Sequence, residues 1–187
     1  MEDTPLVKGD IISGQTCISN KNMIHELEQK GYGEIEKEKL FLKQFETLYL
    51  LYAKRLILKK GNKQFDFNSF MSLSQKTNPE ILTKFLIYRD LRNRGYVVKD
   101  GFGFGSDFRV YERGHFGEKG AKFLIFGLNE GQQEKMGNLQ KKIEEITQMG
   151  KEPIIAVIER RGEIIYYKIN IMNFNENKAR LEESFQL

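Results

Sequence analysis

The chain has 187 residues, of which 40% are hydrophobic and 30% charged, a balance typical of a globular protein with one fair core or two small ones. No apolar run approaches the roughly 20 residues that a membrane-spanning helix needs, which excludes a membrane protein of that kind. The acidic N-terminus lacks the apolar core of a signal peptide, so we expect a cytoplasmic protein with no membrane partner.

Cysteines and histidines are too few for several kinds of site. Cys17 is the single cysteine, and His25 and His115 are the two histidines. These counts exclude an internal disulfide and a thiolate zinc cluster, and they argue against a metal site made of several histidines. We therefore expect no metal and no other cofactor. The net charge of +4 and the pI near 9.0 permit RNA binding without requiring it.

The first 80 residues predict a small domain that mixes strands and helices. Weak alternation of apolar and polar residues over 1–20 predicts short strands of a small sheet. An apolar stripe at helical spacing predicts a helix over 38–54. The other predicted elements are a helix over 21–30 capped by Asn20 or Asn22, a strand over 55–58, and a helix over 65–75 capped by Asp66 or Asn68.

Residues 85–114 are the stretch around which the rest of the chain is organised. They begin as a helix that ends at Gly95. Residues 96–98 are aromatic and β-branched and predict a strand, and a glycine-rich connection leads from it to a second strand over 107–111.

The remaining residues predict a strand over 122–128, an amphipathic helix over 134–148, and a hairpin of strands over 153–159 and 163–170. Asn78-Pro79 marks a hinge before the central stretch. We therefore predict an α+β or α/β fold with three parts. They are a small mixed domain over 1–80, a domain over 81–174 with a mixed sheet flanked by helices, and a tail over 175–187.

Several residues of the central stretch form an unusual pattern at fixed spacing. They are Tyr88-Arg89-Asp90-Leu91-Arg92, Arg94-Gly95-Tyr96-Val97-Val98, Gly105, Asp107-Phe108 and Tyr111-Glu112-Arg113-Gly114. This pattern resembles the catalytic domain of the archaeal tRNA-splicing (tRNA-intron) endonucleases. The resemblance implies that family's α/β fold for the C-terminal domain, and a role in tRNA processing and RNA binding.

Enzymes of that family cut both strands of a bulge-helix-bulge in precursor tRNA without a metal, and leave 2′,3′-cyclic phosphate and 5′-hydroxyl ends. The RNA 2′-hydroxyl is the nucleophile, so the reaction needs a base, an acid for the leaving oxygen and a cation for the phosphorane. The resemblance implies that Tyr111 is the base and Lys151 the cation. Without it, a tyrosine at a strand end is more often part of the core, and a lysine before a strand is usually only solvated.

The family's third group is a histidine about ten residues after the tyrosine, and this chain departs from the pattern there. That position is Gly120 or Ala121, depending on a one-residue gap, and neither side chain transfers a proton. His115 lies nearby in a loop with Gly114, Gly117 and Gly120. It is a displaced candidate for the acid, although an exposed loop histidine is the plainer interpretation.

A second departure concerns the helix before Lys151. Active members have a basic, histidine-containing turn there that helps hold RNA, whereas this chain has Glu144 and Glu145. Two carboxylates repel phosphates. Whether this chain cuts RNA is therefore doubtful on its sequence.

Some archaea build the enzyme as a heterotetramer of catalytic and structural subunits with one fold. The resemblance implies two interfaces for a structural subunit, an acidic loop docked in a basic pocket of the opposite subunit and a strand pairing near the C-terminus. The candidate residues are Glu130 and Glu134 for the loop, and Tyr166, Tyr167 and Ile169 for the strand.

Three hypotheses follow. The leading one is a structural subunit of the tRNA-splicing endonuclease, which binds a paralogous catalytic subunit and meets precursor tRNA through the assembled complex. The second is a catalytic subunit that uses Tyr111, His115 and Lys151. The third is a non-enzymatic RNA-binding protein on the same scaffold, against which Glu144 and Glu145 argue.

Overall fold

The computed structural model describes residues 6–101, 105–129 and 136–170, except for the side chains of residues 129 and 136–139. Its N-terminal half contains a six-stranded sheet in the order β3-β4-β2-β1-β5-β6 with three helices. The elements are β1 (Val7–Ile12), β2 (Gln15–Ile18), α1 (Lys21–Gln29), β3 (Glu34–Glu36), β4 (Lys39–Leu42), α2 (Gln44–Tyr52), β5 (Leu56–Lys60), β6 (Lys63–Phe65) and α3 (Phe67–Gln75). Strands β1 and β5 pair in parallel, and the other pairs are antiparallel.

Local capping signals placed two of these helices correctly. The side chain of Asn20 accepts a hydrogen bond from the Met23 amide at 3.2 Å, at the start of α1. Asp66 accepts one from the Ser69 amide at 2.8 Å, at the start of α3. Both predicted caps are therefore confirmed, because each side chain satisfies an amide that the helix leaves unpaired.

The helix predicted over 38–54 is wrong in its first third. Residues Lys39–Leu42 form β4, which pairs with β2 and β3, and α2 begins only at Gln44. The carboxylate of Glu46 accepts a hydrogen bond from the Lys43 amide at 2.8 Å and so caps the helix there. Apolar residues next to this boundary satisfy the periodicity of a helix and a strand alike.

The C-terminal half is a mixed five-stranded sheet between two helices, which confirms the predicted fold class. The sheet order is β11-β10-β9-β8-β7; β9 and β10 are parallel and the other pairs antiparallel. The elements are α4 (Ile81–Asn93), β7 (Val97–Asp100), β8 (Phe108–Tyr111), β9 (Phe123–Asn129), α5 (Met136–Gln148), β10 (Glu152–Ile158) and β11 (Ile164–Lys168).

Alternation along the strands gives the sheet two packed faces. On one face Phe108, Val110 and Ile125 belong to the same buried cluster as residues of α4. On the other face Leu124 and Phe126 pack with Ile146 of α5.

One hydrophobic core crosses the boundary predicted at residue 80. The Phe45 ring of α2 lies 4.9 Å from the Tyr88 ring of α4 and 5.1 Å from the Phe108 ring of β8, measured between centroids. The division into separate domains, and the tail over 175–187, stay predictions. Within the described ranges no helix is long and apolar enough to cross a membrane.

Candidate functional site

Tyr111 is the last residue of β8. Phe108 and Val110 of this strand point into the core, whereas Arg109 pairs with Leu124 on the face that α5 covers. Tyr111 follows Arg109 by two residues and therefore faces the same side. Its partly exposed ring packs edge-to-face on Phe116, with centroids 5.0 Å apart.

Lys151 lies in the connection from α5 to β10. The helix ends at Gly150, whose φ of +68° is a conformation that glycine adopts without strain, and the Lys151 amide donates to the Ile146 carbonyl. The Lys151 ammonium donates a hydrogen bond to the Ala121 carbonyl at 2.6 Å. This bond holds the cation beside the residues that precede β9.

Gly120 is adjacent to that cation. A Cβ atom added at Gly120 would lie 4.0 Å from Lys151 Nζ, and no other heavy atom beyond its chain neighbours would lie within 4 Å. The structure thus brings both candidate positions of the family histidine, Gly120 and Ala121, against Lys151. Neither residue supplies a proton donor there.

His115 is in a different surrounding. It lines an open cavity of about 300 Å³ with Tyr96, Glu112, Arg113 and Phe123, and neither Tyr111 nor Lys151 lines it. Its Nδ1 lies 3.6 Å from Glu118 Oε2, and its side chain is 39% exposed. Backbone hydrogen bonds hold the loop around it, since the His115 amide donates to the Glu112 carbonyl and the Lys119 amide to the His115 carbonyl.

A row of alternating charges crosses the same end of the sheet, and sequence analysis did not find it. Lys122 bonds Glu112 and lies 4.0 Å from Glu152, whose other oxygen lies 2.9 Å from Lys168 Nζ. The Lys122 ammonium lowers the pKa of Glu112, and that carboxylate raises the pKa of Lys122. The row ties together the ends of four strands.

Two residues of the sequence pattern have a structural role. Asp107 accepts a hydrogen bond from the Gly127 amide at 2.8 Å and pairs with Lys84 at 3.2 Å, which joins β8, β9 and α4. The Arg113 guanidinium lies 4.7 Å from the centre of the Tyr96 ring. The two halves of the pattern are therefore in contact.

The other predicted residues are distributed over the C-terminal half. Glu144 and Glu145 are exposed on α5. Glu130 and Glu134 lie outside the described residues. In β11, which is an edge of the described sheet, the Tyr166 hydroxyl donates to Asp90 Oδ2 at 2.8 Å, and Tyr167 is 52% exposed. The Ile169 amide donates to the Pro153 carbonyl.

A cavity of about 340 Å³ lies between the N-terminal sheet and the start of α4. Lys43, Lys84 and Asp100 contribute charged groups to its wall, and Lys43 Nζ lies 3.5 Å from Asp100 Oδ2. The Thr16 hydroxyl also lines it and is buried without a hydrogen-bond partner in the protein. Among the described residues no group of three or more His, Cys, Asp or Glu side chains is arranged to hold a metal ion.

Comparison with known proteins identifies the family. Residues 7–71 match the family model of the tRNA intron endonuclease N-terminal domain, and residues 81–166 match that of the catalytic C-terminal domain. The chain is 31% identical to tRNA-splicing endonucleases of Pyrococcus furiosus and Thermococcus onnurineus. The first match covers 78% of this chain and 84% of the relative, the second 87% and 95%. The chain belongs to the tRNA intron endonuclease family.

Proposed function

We propose that this chain is the structural subunit of a tRNA-splicing endonuclease that excises introns from precursor tRNA at bulge-helix-bulge motifs. Its relatives are named tRNA-splicing endonucleases. The observation that carries the proposal is Gly120 beside Lys151, where the family's proton donor is missing.

The chemistry explains why that gap matters. Attack by the 2′-hydroxyl gives a 2′,3′-cyclic phosphate and expels a 5′-oxygen, which needs a proton. Tyr111 and Lys151 remain in the family positions for base and cation, but without the acid the oxygen leaves as an alkoxide. A positioned general acid contributes about 10²–10⁴-fold to a rate. The loss is large enough to make this chain's own cleavage negligible beside that of a complete subunit.

The surface of α5 supports the same conclusion. Glu144 and Glu145 are exposed next to the connection that carries Lys151. RNA affinity depends on cations that neutralise phosphates, and carboxylates oppose it. We therefore expect the assembled complex, rather than this chain alone, to bind precursor tRNA.

The proposal assigns the chain's role to its interfaces with a paralogous catalytic subunit. The cavity of about 340 Å³ with Lys43 and Lys84 suits an acidic loop of the partner. Glu130 and Glu134 form the corresponding acidic loop of this chain. The edge strand β11, with Tyr167 exposed, suits main-chain pairing with a second strand.

Cleavage of a bulge-helix-bulge RNA by the purified chain tests the proposal. We expect no cleavage above that of the Tyr111→Phe variant, and we expect cleavage when the paralogous subunit is added. Cleavage by the lone chain that Tyr111→Phe abolishes would refute the structural assignment. A further loss in His115→Ala would then identify His115 as a displaced acid.

A further inference from the structure

An apolar groove crosses the face of the five-stranded sheet beyond the end of α4, and encloses about 260 Å³. Its floor consists of Val110 of β8, Phe123 and Ile125 of β9, and Ile154 of β10. Tyr96, next to β7, and Tyr166 of β11 contribute to it from opposite edges of the sheet. The groove thus extends across all five strands.

The groove continues into the cavity that contains His115, because Tyr96 and Phe123 line both. Arg113 lies at that end, with its guanidinium 4.7 Å from the Tyr96 ring centre. At the other end the Tyr166 hydroxyl is bonded to Asp90, which fixes β11 to α4. One end of the groove is therefore cationic, and the middle is apolar.

The chain itself delivers a segment to the apolar end. After β11 the Ile169 amide donates to the Pro153 carbonyl at 3.1 Å, so the chain still follows β10 beside Ile154 of the groove floor. Residues 171–187 come next and lie outside the described part of the structure. The first of them include three large apolar residues, Ile171, Met172 and Phe174, followed by Glu176.

The length of this segment fits the groove. Five strands span four spacings of about 4.8 Å, or roughly 19 Å, and an extended chain covers about 3.3 Å per residue, so about six residues cross the sheet. Residues 171–176 provide that length. Phe174 then falls near the middle, over Phe123, and Glu176 near Arg113.

The geometry points to residues 171–176 of this chain as the occupant of the groove, docked on their own sheet with Phe174 as the apolar anchor. The tether favours this segment over a second copy, because a short connection gives an effective concentration on the order of millimolar. Docking would bury apolar surface on both sides and pair Glu176 with Arg113. The inference does not depend on whether the chain cuts RNA.

Tryptophan fluorescence tests the docking, since the chain contains no tryptophan. Phe174→Trp introduces a single reporter, and Phe185→Trp is the matched control farther along the same segment. We expect blue-shifted emission and a several-fold smaller acrylamide quenching constant for Phe174→Trp. Equal emission and quenching in the two variants would overturn the proposal.

Cross-linking tests whether docking is within one chain. Ile154→Cys combined with Phe174→Cys is treated with a short dimaleimide, and Ile154→Cys with Phe185→Cys is the control; the native Cys17 is buried. We expect a cross-link within one chain, several-fold faster than in the control. A cross-linked dimer would assign the groove to a second copy, and no faster reaction than in the control would also overturn the proposal.

Discussion

Restoring the missing histidine is the most informative change to this chain. Gly120→His places an imidazole next to Lys151, because a Cβ at this position lies 4.0 Å from Lys151 Nζ. The φ of Gly120 is outside the left-handed region, so the substitution introduces no backbone strain. Gly120→Ala is the matched control, since it makes the same backbone change without a proton donor.

The expected gain follows from two opposing effects. A general acid contributes about 10²–10⁴-fold to the rate. The neighbouring ammonium disfavours the protonated imidazole, because like charges about 4 Å apart repel by about 1 kcal/mol in water and about 4 kcal/mol near a protein surface. We therefore expect a gain of about 10²-fold, at the lower end of the range.

The assay is single-turnover cleavage of a bulge-helix-bulge RNA at low salt with the chain in excess, which offsets weak binding at the acidic α5 surface. Adding Tyr111→Phe to Gly120→His should remove the gain. Ala121→His tests the other alignment, and we expect it to destabilise the fold, because Ala121 is only 8% exposed. A correctly folded Gly120→His variant no faster than Gly120→Ala would refute the reasoning.

Three further predictions concern stability. Glu46 is buried and accepts hydrogen bonds from the amides of Gly33 and Lys43, so Glu46→Gln, which turns an NH₂ group toward one amide, should cost about 1–3 kcal/mol in urea unfolding; no change in the midpoint would contradict this. Burial raises the pKa of Glu46 above its ordinary value of 4.5, opposed by those two amides. The folded state therefore binds more protons than the unfolded state, and stability from this group is present below pH 4.5 and is lost as pH rises through the folded-state pKa; Glu46→Gln should lack that slope, and identical slopes would contradict the assignment. Tyr166→Phe removes the bond to Asp90 and should cost about 1 kcal/mol, measured as a lower thermal midpoint beside the exposed control Tyr167→Phe.

Local signals were readable from the sequence, and contacts between distant residues were not. Asn20 and Asp66 cap their helices because each bonds an amide three residues on. Residues 39–42 were assigned to a helix because their strand depends on pairing with β2, more than twenty residues earlier. The core shared by Phe45, Tyr88 and Phe108 was hidden for the same reason.

The candidate site divides in the same way. Spacing alone placed Gly120 and Ala121 at the histidine position, and the structure brings both against Lys151. The row from Glu112 through Lys122 to Glu152 depends on β9 and β10 lying side by side in parallel, which no local pattern encodes. The cavity around His115 depends likewise on Tyr96, nineteen residues before it in the chain.

The measurement that tests the central claim most directly is made on the assembled complex. The endonuclease is purified through this chain, once with the wild-type sequence and once with Tyr111→Phe, and the two are compared in cleavage of precursor tRNA. If this chain is structural, the two complexes cut at the same rate. A large loss of cleavage in the Tyr111→Phe complex, with assembly intact, would show that this chain supplies an active site.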